Sequence, residues 1–161
     1  MRRLVALLAV AGCLLCGGCA KKEVPPVTEG FSCTVTVTAG DFSAAGTLTR
    51  TGAGQLQFAC TAPETLAGLC VSVCGDEVTL SRAGVSVAFA KTAFSQEAVF
   101  LRLCRLLDAA ARCQTATGGV IKGVCQNEPY TLTYDVESGQ YATLRLQNTR
   151  FFVAFSDFSP K

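Results

Sequence analysis

The sequence predicts a mainly β domain of α+β type: a curved antiparallel sheet of about ten strands, a half-barrel, wrapped around one substantial helix. Three observations carry this. Apolar and polar residues alternate from Phe31 onward, glycine-bearing turns recur at short intervals, and one stretch after Ser95 switches to helical spacing.

In 31–38, Phe31, Cys33, Val35 and Val37 alternate with Ser32, Thr34, Thr36 and Thr38, as in a half-buried strand with a threonine outer face. Gly40-Asp41 turns the chain into a strand over 42–50. Thr51-Gly52-Ala53-Gly54 turns it into another over 55–61, where Leu56, Phe58 and Cys60 share a face. Pro63 interrupts, and 63–68 reads as a connector or a single helical turn. Strands over 69–74 and 77–81 are joined by the hairpin signal Gly75-Asp76, and Arg82-Ala83-Gly84 leads to a strand over 85–89.

The period then changes. Val99, Leu103, Leu106, Leu107 and Ala110 form the stripe of an amphipathic helix, with Ser95 suited to the N-cap and Glu97 to the positive helix end. Arg102, Arg105, Asp108 and Arg112 lie off the stripe. Asp108 has Arg105 three residues before it and Arg112 four after, which reads as ion pairing on a solvated face, the other reading being an anion-binding basic face. Strands resume after Gly118-Gly119, over 120–125, 130–135, 141–147 and 151–155, with Glu137-Ser138-Gly139-Gln140 as a turn. So long a twisted sheet must curl, and the helix stripe needs a sheet face to bury against.

The formal charge is +2 and no basic stripe is interleaved with aromatics, so nucleic acid is not an expected partner. Half of the residues are hydrophobic and 16% are charged, a surplus that either fills a core or supplies a cavity or sticky face. Of the ten cysteines, three precede residue 20, leaving Cys33, Cys60, Cys70, Cys74, Cys104, Cys113 and Cys125. That odd set cannot pair completely. Cys70 and Cys74 on one strand face stand about 13 Å apart, too far for one bridge. With no histidine in the chain, a zinc site would need four cysteines, or cysteines with carboxylates. The cysteines read as small packing residues, with disulfides or a metal as the alternatives.

The missing histidine also removes the Ser-His and Cys-His nucleophile pairs. Asp76 with Glu77 and Asp135 with Glu137 sit at turns, and Cys104, between Arg102 and Arg105, lies mid-helix rather than at an activating N-terminus. The expectation is a non-enzyme with no catalytic residue, metal or cofactor.

The first residues state an address. Arg2 and Arg3 precede an apolar run, 4–15, closed by Gly17-Gly18-Cys19, which resembles the signal peptide and lipobox of bacterial lipoproteins. Cys19 is the expected lipidation site. Val10-Ala11-Gly12-Cys13 offers Cys13 as an alternative, with a shorter apolar run before it. The run is too short to span a bilayer, which takes about 20 residues. The resulting division is a signal peptide, 1–18, a lipid-anchored tether, 19–30, and a domain, 31–161, at the extracytoplasmic face of the cell membrane. Lys21 and Lys22 favour anionic head groups, and Pro25-Pro26 stiffens the tether.

In order along the domain stand GTLTR (46–50), APETLAGL (62–69), GDEVTL (75–80), LLDAA (106–110) and YDVESGQYATLRL (134–146). This series resembles small lipoproteins of Gram-positive bacteria and, through them, the LolA/LppX-like superfamily of half-barrels. The Asp135…Gly139 turn is similar to the D-x-x-x-G turn common there. The resemblance implies a concave sheet face that binds or carries a lipid or another apolar ligand. Its walls would be Phe31, Val35, Phe42, Leu48, Leu56, Phe58, Val87, Phe89, Leu103, Leu107, Tyr130, Leu132, Phe151 and Phe155. The alternative is that these side chains fill the core and the chain is a cell-surface interaction or regulatory lipoprotein with an envelope protein as partner.

Overall fold

The structure is a computed structural model that describes residues 24–95, 98–113 and 116–160. Both candidate lipidation sites, Cys13 and Cys19, lie outside the described residues, as does Glu97. The strands are β1 (Phe31–Ala39), β2 (Phe42–Gly52), β3 (Gln55–Ala62), β4 (Cys70–Cys74), β5 (Glu77–Arg82) and β6 (Val85–Ala90). After the helix α1 (Val99–Arg112) come β7 (Ala116–Thr117), β8 (Val120–Cys125), β9 (Glu128–Tyr134), β10 (Tyr141–Leu146) and β11 (Phe151–Pro160).

They form one 11-stranded sheet in the order β6-β5-β4-β3-β2-β1-β11-β10-β9-β8-β7. Each described pairing is antiparallel. Two meanders are sewn together by one long-range seam, in which Val35 lies opposite Phe155 and Val37 opposite Val153. The order has two ends, so the sheet is an open half-barrel curved around α1, as expected. The additional strand, β7, is only two residues long. β9 starts before Tyr130 because Gln126 and Asn127 both take positive φ, 51° and 66°, the backbone of a tight primed turn that the sequence does not advertise with glycine.

Alternation sets the two faces. β1 buries Phe31, Cys33, Val35 and Val37 and turns Thr34 and Thr36 outward. Gly46 in β2 has no room for a side chain, since a Cβ there would stand 2.1 Å from the Ala59 carbonyl oxygen. Against the inner face α1 buries Leu101, Leu103, Cys104, Leu106, Leu107 and Ala110. Phe100 stacks on Phe58 with ring centroids 4.5 Å apart and meets Phe42 edge-on at 6.5 Å. The helix starts later than Ser95 suggested. Its N-cap is Ala98, with no side-chain cap, and the Ala98 N–H donates to the Ser95 carbonyl at 3.0 Å.

Asp108 requires a second correction. It does not simply line a solvated helix face: Arg50 of β2, only 1% exposed, donates from Nη2 to Asp108 Oδ1 at 2.8 Å. The Gly54 N–H also reaches both carboxylate oxygens, at 3.2 and 3.1 Å. An inward-facing guanidinium on β2 needs a counter-charge, and the helix supplies it. Arg50 also donates from Nε to the Thr28 carbonyl at 2.7 Å.

That last bond belongs to a strap. From Val24 the chain is pinned to the domain by Val24 N–H to Val136 O, Val27 N–H to Gly139 O and Gly30 N–H to Arg50 O, each 2.9 Å. Gly139 makes this approach possible: a Cβ there would lie 2.4 Å from the Pro25 carbonyl oxygen. The spacer expected over 19–30 therefore includes a docked part from Val24 onward.

Candidate functional site

Most of the expected cavity wall is core. Phe31, Val35, Leu48, Leu56, Phe58, Leu103, Leu107, Tyr130, Leu132, Phe151 and Phe155 are buried in one cluster, and Phe42 packs half-buried against it. Three surface clefts, of about 360, 330 and 430 Å³, are lined by none of these residues.

Val87 and Phe89 behave differently. Directly opposed residues in antiparallel strands share a face. Val73 faces Val78 and Val78 faces Phe89, while Val71 faces Leu80 and Leu80 faces Val87. Val71, Val73 and Val78 are buried, so Phe89, Val87 and, two residues on, Val85 continue the same inner face. Yet they are 39%, 47% and 66% exposed, and Leu80 is half-buried. The inner face thus runs past the helix and ends in an uncovered apolar strip about 13 Å long.

One end of the strip is built up. Lys91 donates its backbone N–H to the Asp76 carbonyl (2.7 Å) and its Nζ to the Gly75 carbonyl (3.3 Å), fixing the short 3-10 turn Lys91–Ala93 to the β4–β5 hairpin. The turn delivers Phe94 to Phe89, edge-on, with ring centroids 5.6 Å apart. Lys91 and Phe94 also line the cleft of about 330 Å³, together with Asp76, Leu101, Arg105 and Gln126. A cleft of mixed polarity that carries Lys91, Arg105 and Asp76 therefore adjoins an apolar strip, with Arg82, exposed, at the strip's other end. That arrangement suits a molecule with an anionic head and a hydrocarbon tail.

Sequence reasoning reached Val87 and Phe89 but missed Leu80, Val85, Phe94, Lys91 and the cleft. A signal existed. The strand over 85–89 is the last before the meander breaks for a helix, the position where a sheet edge falls.

The three buried thiols fit packing roles. Cys33, Cys60 and Cys104 are buried, and Cys33, Cys60, Cys70, Cys74, Cys104 and Cys125 are free thiols. Burial pushes Cys33 up to about 12, and burial followed by the Asp108 charge raises Cys104, so both stay protonated. The Cys113 thiol faces the Lys122 carbonyl at 3.7 Å. Among the described residues no group of three or more His, Cys, Asp or Glu could hold a metal ion, and no helix is long and apolar enough to cross a membrane.

The class of protein this defines is an open antiparallel half-barrel whose inner face is covered in part by the one α-helix among the described residues. No family model and no curated protein matches the sequence. Among solved structures the chain is similar to a LolA superfamily protein from Nitrosomonas europaea, at 11% identity and a TM-score of 0.41, over 87% of this chain and 90% of that one. It is similar also to LprF from Mycobacterium bovis, at 15% identity and a TM-score of 0.39, over 81% and 86% of the two chains.

Proposed function

We propose that this is a membrane-anchored extracytoplasmic lipoprotein that reversibly binds an anionic amphiphile, without catalysis, at the open end of its concave face. The observation that carries the reading is the continuation of the inner sheet face, in register, into the exposed strip Val85, Val87 and Phe89. The tail lies along this strip against Phe94, and the head meets Lys91 and Arg105 in the adjoining cleft. Magnitudes fix the type of binding. Covering the exposed parts of three such side chains is worth about 2–4 kcal/mol, a dissociation constant in the millimolar range or weaker. A cation at the head adds about 0.5–1 kcal/mol. The site therefore exchanges its ligand readily and does not seal it away.

The test is native mass spectrometry of the chain with fatty acids and anionic phospholipids, together with saturable uptake of a fluorescent fatty acid. Uptake that Phe89→Asp abolishes supports the reading; equal uptake by both proteins sinks it. The filled core favours a second reading, an interaction or regulatory lipoprotein whose strip meets an envelope protein. In that case Phe89→Asp would break a cross-link to one defined protein while lipid uptake is absent from the start.

A further inference from the structure

We infer that the strap end of the domain faces the bilayer, so that the anchored protein has one orientation and does not tumble on a flexible leash. This rests on the reading that Cys19 carries the lipid. Between Cys19 and Val24 the chain can reach at most about 18 Å when fully extended. From Val24 onward it has no slack. Three backbone hydrogen bonds of 2.9 Å and the Arg50–Thr28 bond fasten it to the β9–β10 turn and to β2. Arg50 is buried and held by Asp108, so the strap is tied through a charge pair to the body of the molecule. Gly139 keeps no side chain where Pro25 lies.

The docked strap also shapes the surface around it. Val24, Pro25, Pro26 and Thr28 form one wall of the cleft of about 360 Å³, and Ala110, Ala111 and Cys113 at the C-terminal end of α1 form another. The partner that fits is a lipid surface, because the anchor keeps this end within about 18 Å of it. The opposite end is fixed by the same logic. β1 runs nine residues from the strap to the β1–β2 turn, about 30 Å at strand rise. The turn around Gly40, where the Gly40 N–H meets the Arg150 carbonyl at 2.9 Å, is therefore the membrane-distal tip.

The chain contains no tryptophan, so single-tryptophan reporters read position cleanly. Gln140 beside the strap and Ser43 beside the distal turn are both exposed. Lipidated full-length Gln140→Trp and Ser43→Trp are placed in vesicles whose lipids carry a nitroxide on the head group. The expected result is strong loss of fluorescence for Gln140→Trp and none for Ser43→Trp. Equal loss in the two, or greater loss for Ser43→Trp, on a chain whose mass shows the attached lipid, overturns the orientation alone. A mass without acyl chains overturns the anchoring reading and the orientation with it.

Discussion

Two regions of the sheet's concave face, one inside the sheet and one at its edge, carry the same kind of inward apolar residue and stand in opposite states. At Phe58 the inward position is 0% exposed, beneath Phe100 of the helix; at Val87, three strands further along the sheet, it is 47% exposed. The cause is geometric. Eleven strands at about 4.8 Å spacing make a sheet some 50 Å wide, and one helix with its side chains is about 10–12 Å across. A single helix cannot cover such a face, even a curved one, and this one lies nearer β8 than β6. Alternation thus specifies which side of a strand faces inward, but what covers that side is decided by the helix's place.

The contrast can be broken at its filled end. Phe58→Ala removes a fully buried ring under Phe100 and should destabilise the domain by about 3–5 kcal/mol in urea unfolding. A loss below about 1 kcal/mol would mean that this part of the core is as open as the strip. Nearly as large is the effect of Asp108→Ala, which strands the buried Arg50. We expect a loss of about 3 kcal/mol, together with faster protease cleavage in the strap.

A smaller stability effect comes from alkali. The Tyr141 hydroxyl is buried without a hydrogen-bond partner among the described residues, and burial pushes its pKa from 10.0 up to about 12. A group raised on folding is worth its full stabilisation below its unfolded pKa. Stability should therefore fall by about 2 kcal/mol as pH climbs from 10 towards 12. Tyr141→Phe should flatten the part of that fall due to this residue, measured by thermal unfolding against pH.

At the bare end, Val87→Ala should change stability by less than about 1 kcal/mol while weakening apolar uptake. If it costs as much as a core truncation, the strip is covered in the folded protein. Smallest of all in energy is thiol mapping. Cys74, exposed, should react with a thiol reagent in the native protein, while Cys33, Cys60 and Cys104 wait for unfolding.

The fold was largely legible because period-two alternation and glycine turns are local signals. The helix stripe and the Asp135…Gly139 turn were likewise readable; in the latter, Asp135 Oδ1 accepts the Glu137 and Ser138 N–H groups at 2.9 and 2.7 Å. What escaped was non-local. Asp108 has cations at helical spacing in sequence, yet Arg50, 58 residues away, binds it. Val87 carries the same local pattern as Val35, although one lies at an edge and the other at the central seam.

The edge has a consequence for how the chain behaves in company. All six residues of β6, VSVAFA, are exposed, and among the described residues the strand has a hydrogen-bonded neighbour on one side only. It carries none of the usual protections within its length, neither lysine nor proline, whereas β7 at the other edge is protected by being two residues long. The gatekeepers are just outside, Arg82 before the strand and Lys91 after it. If two copies laid β6 antiparallel with Val87 against Val87, Arg82 of one would approach Lys91 of the other, and like charges would oppose the match. Such repulsion reaches about 8 Å at physiological ionic strength and about 3 Å in molar salt. Raising the salt concentration therefore lowers this charge barrier between two β6 edges.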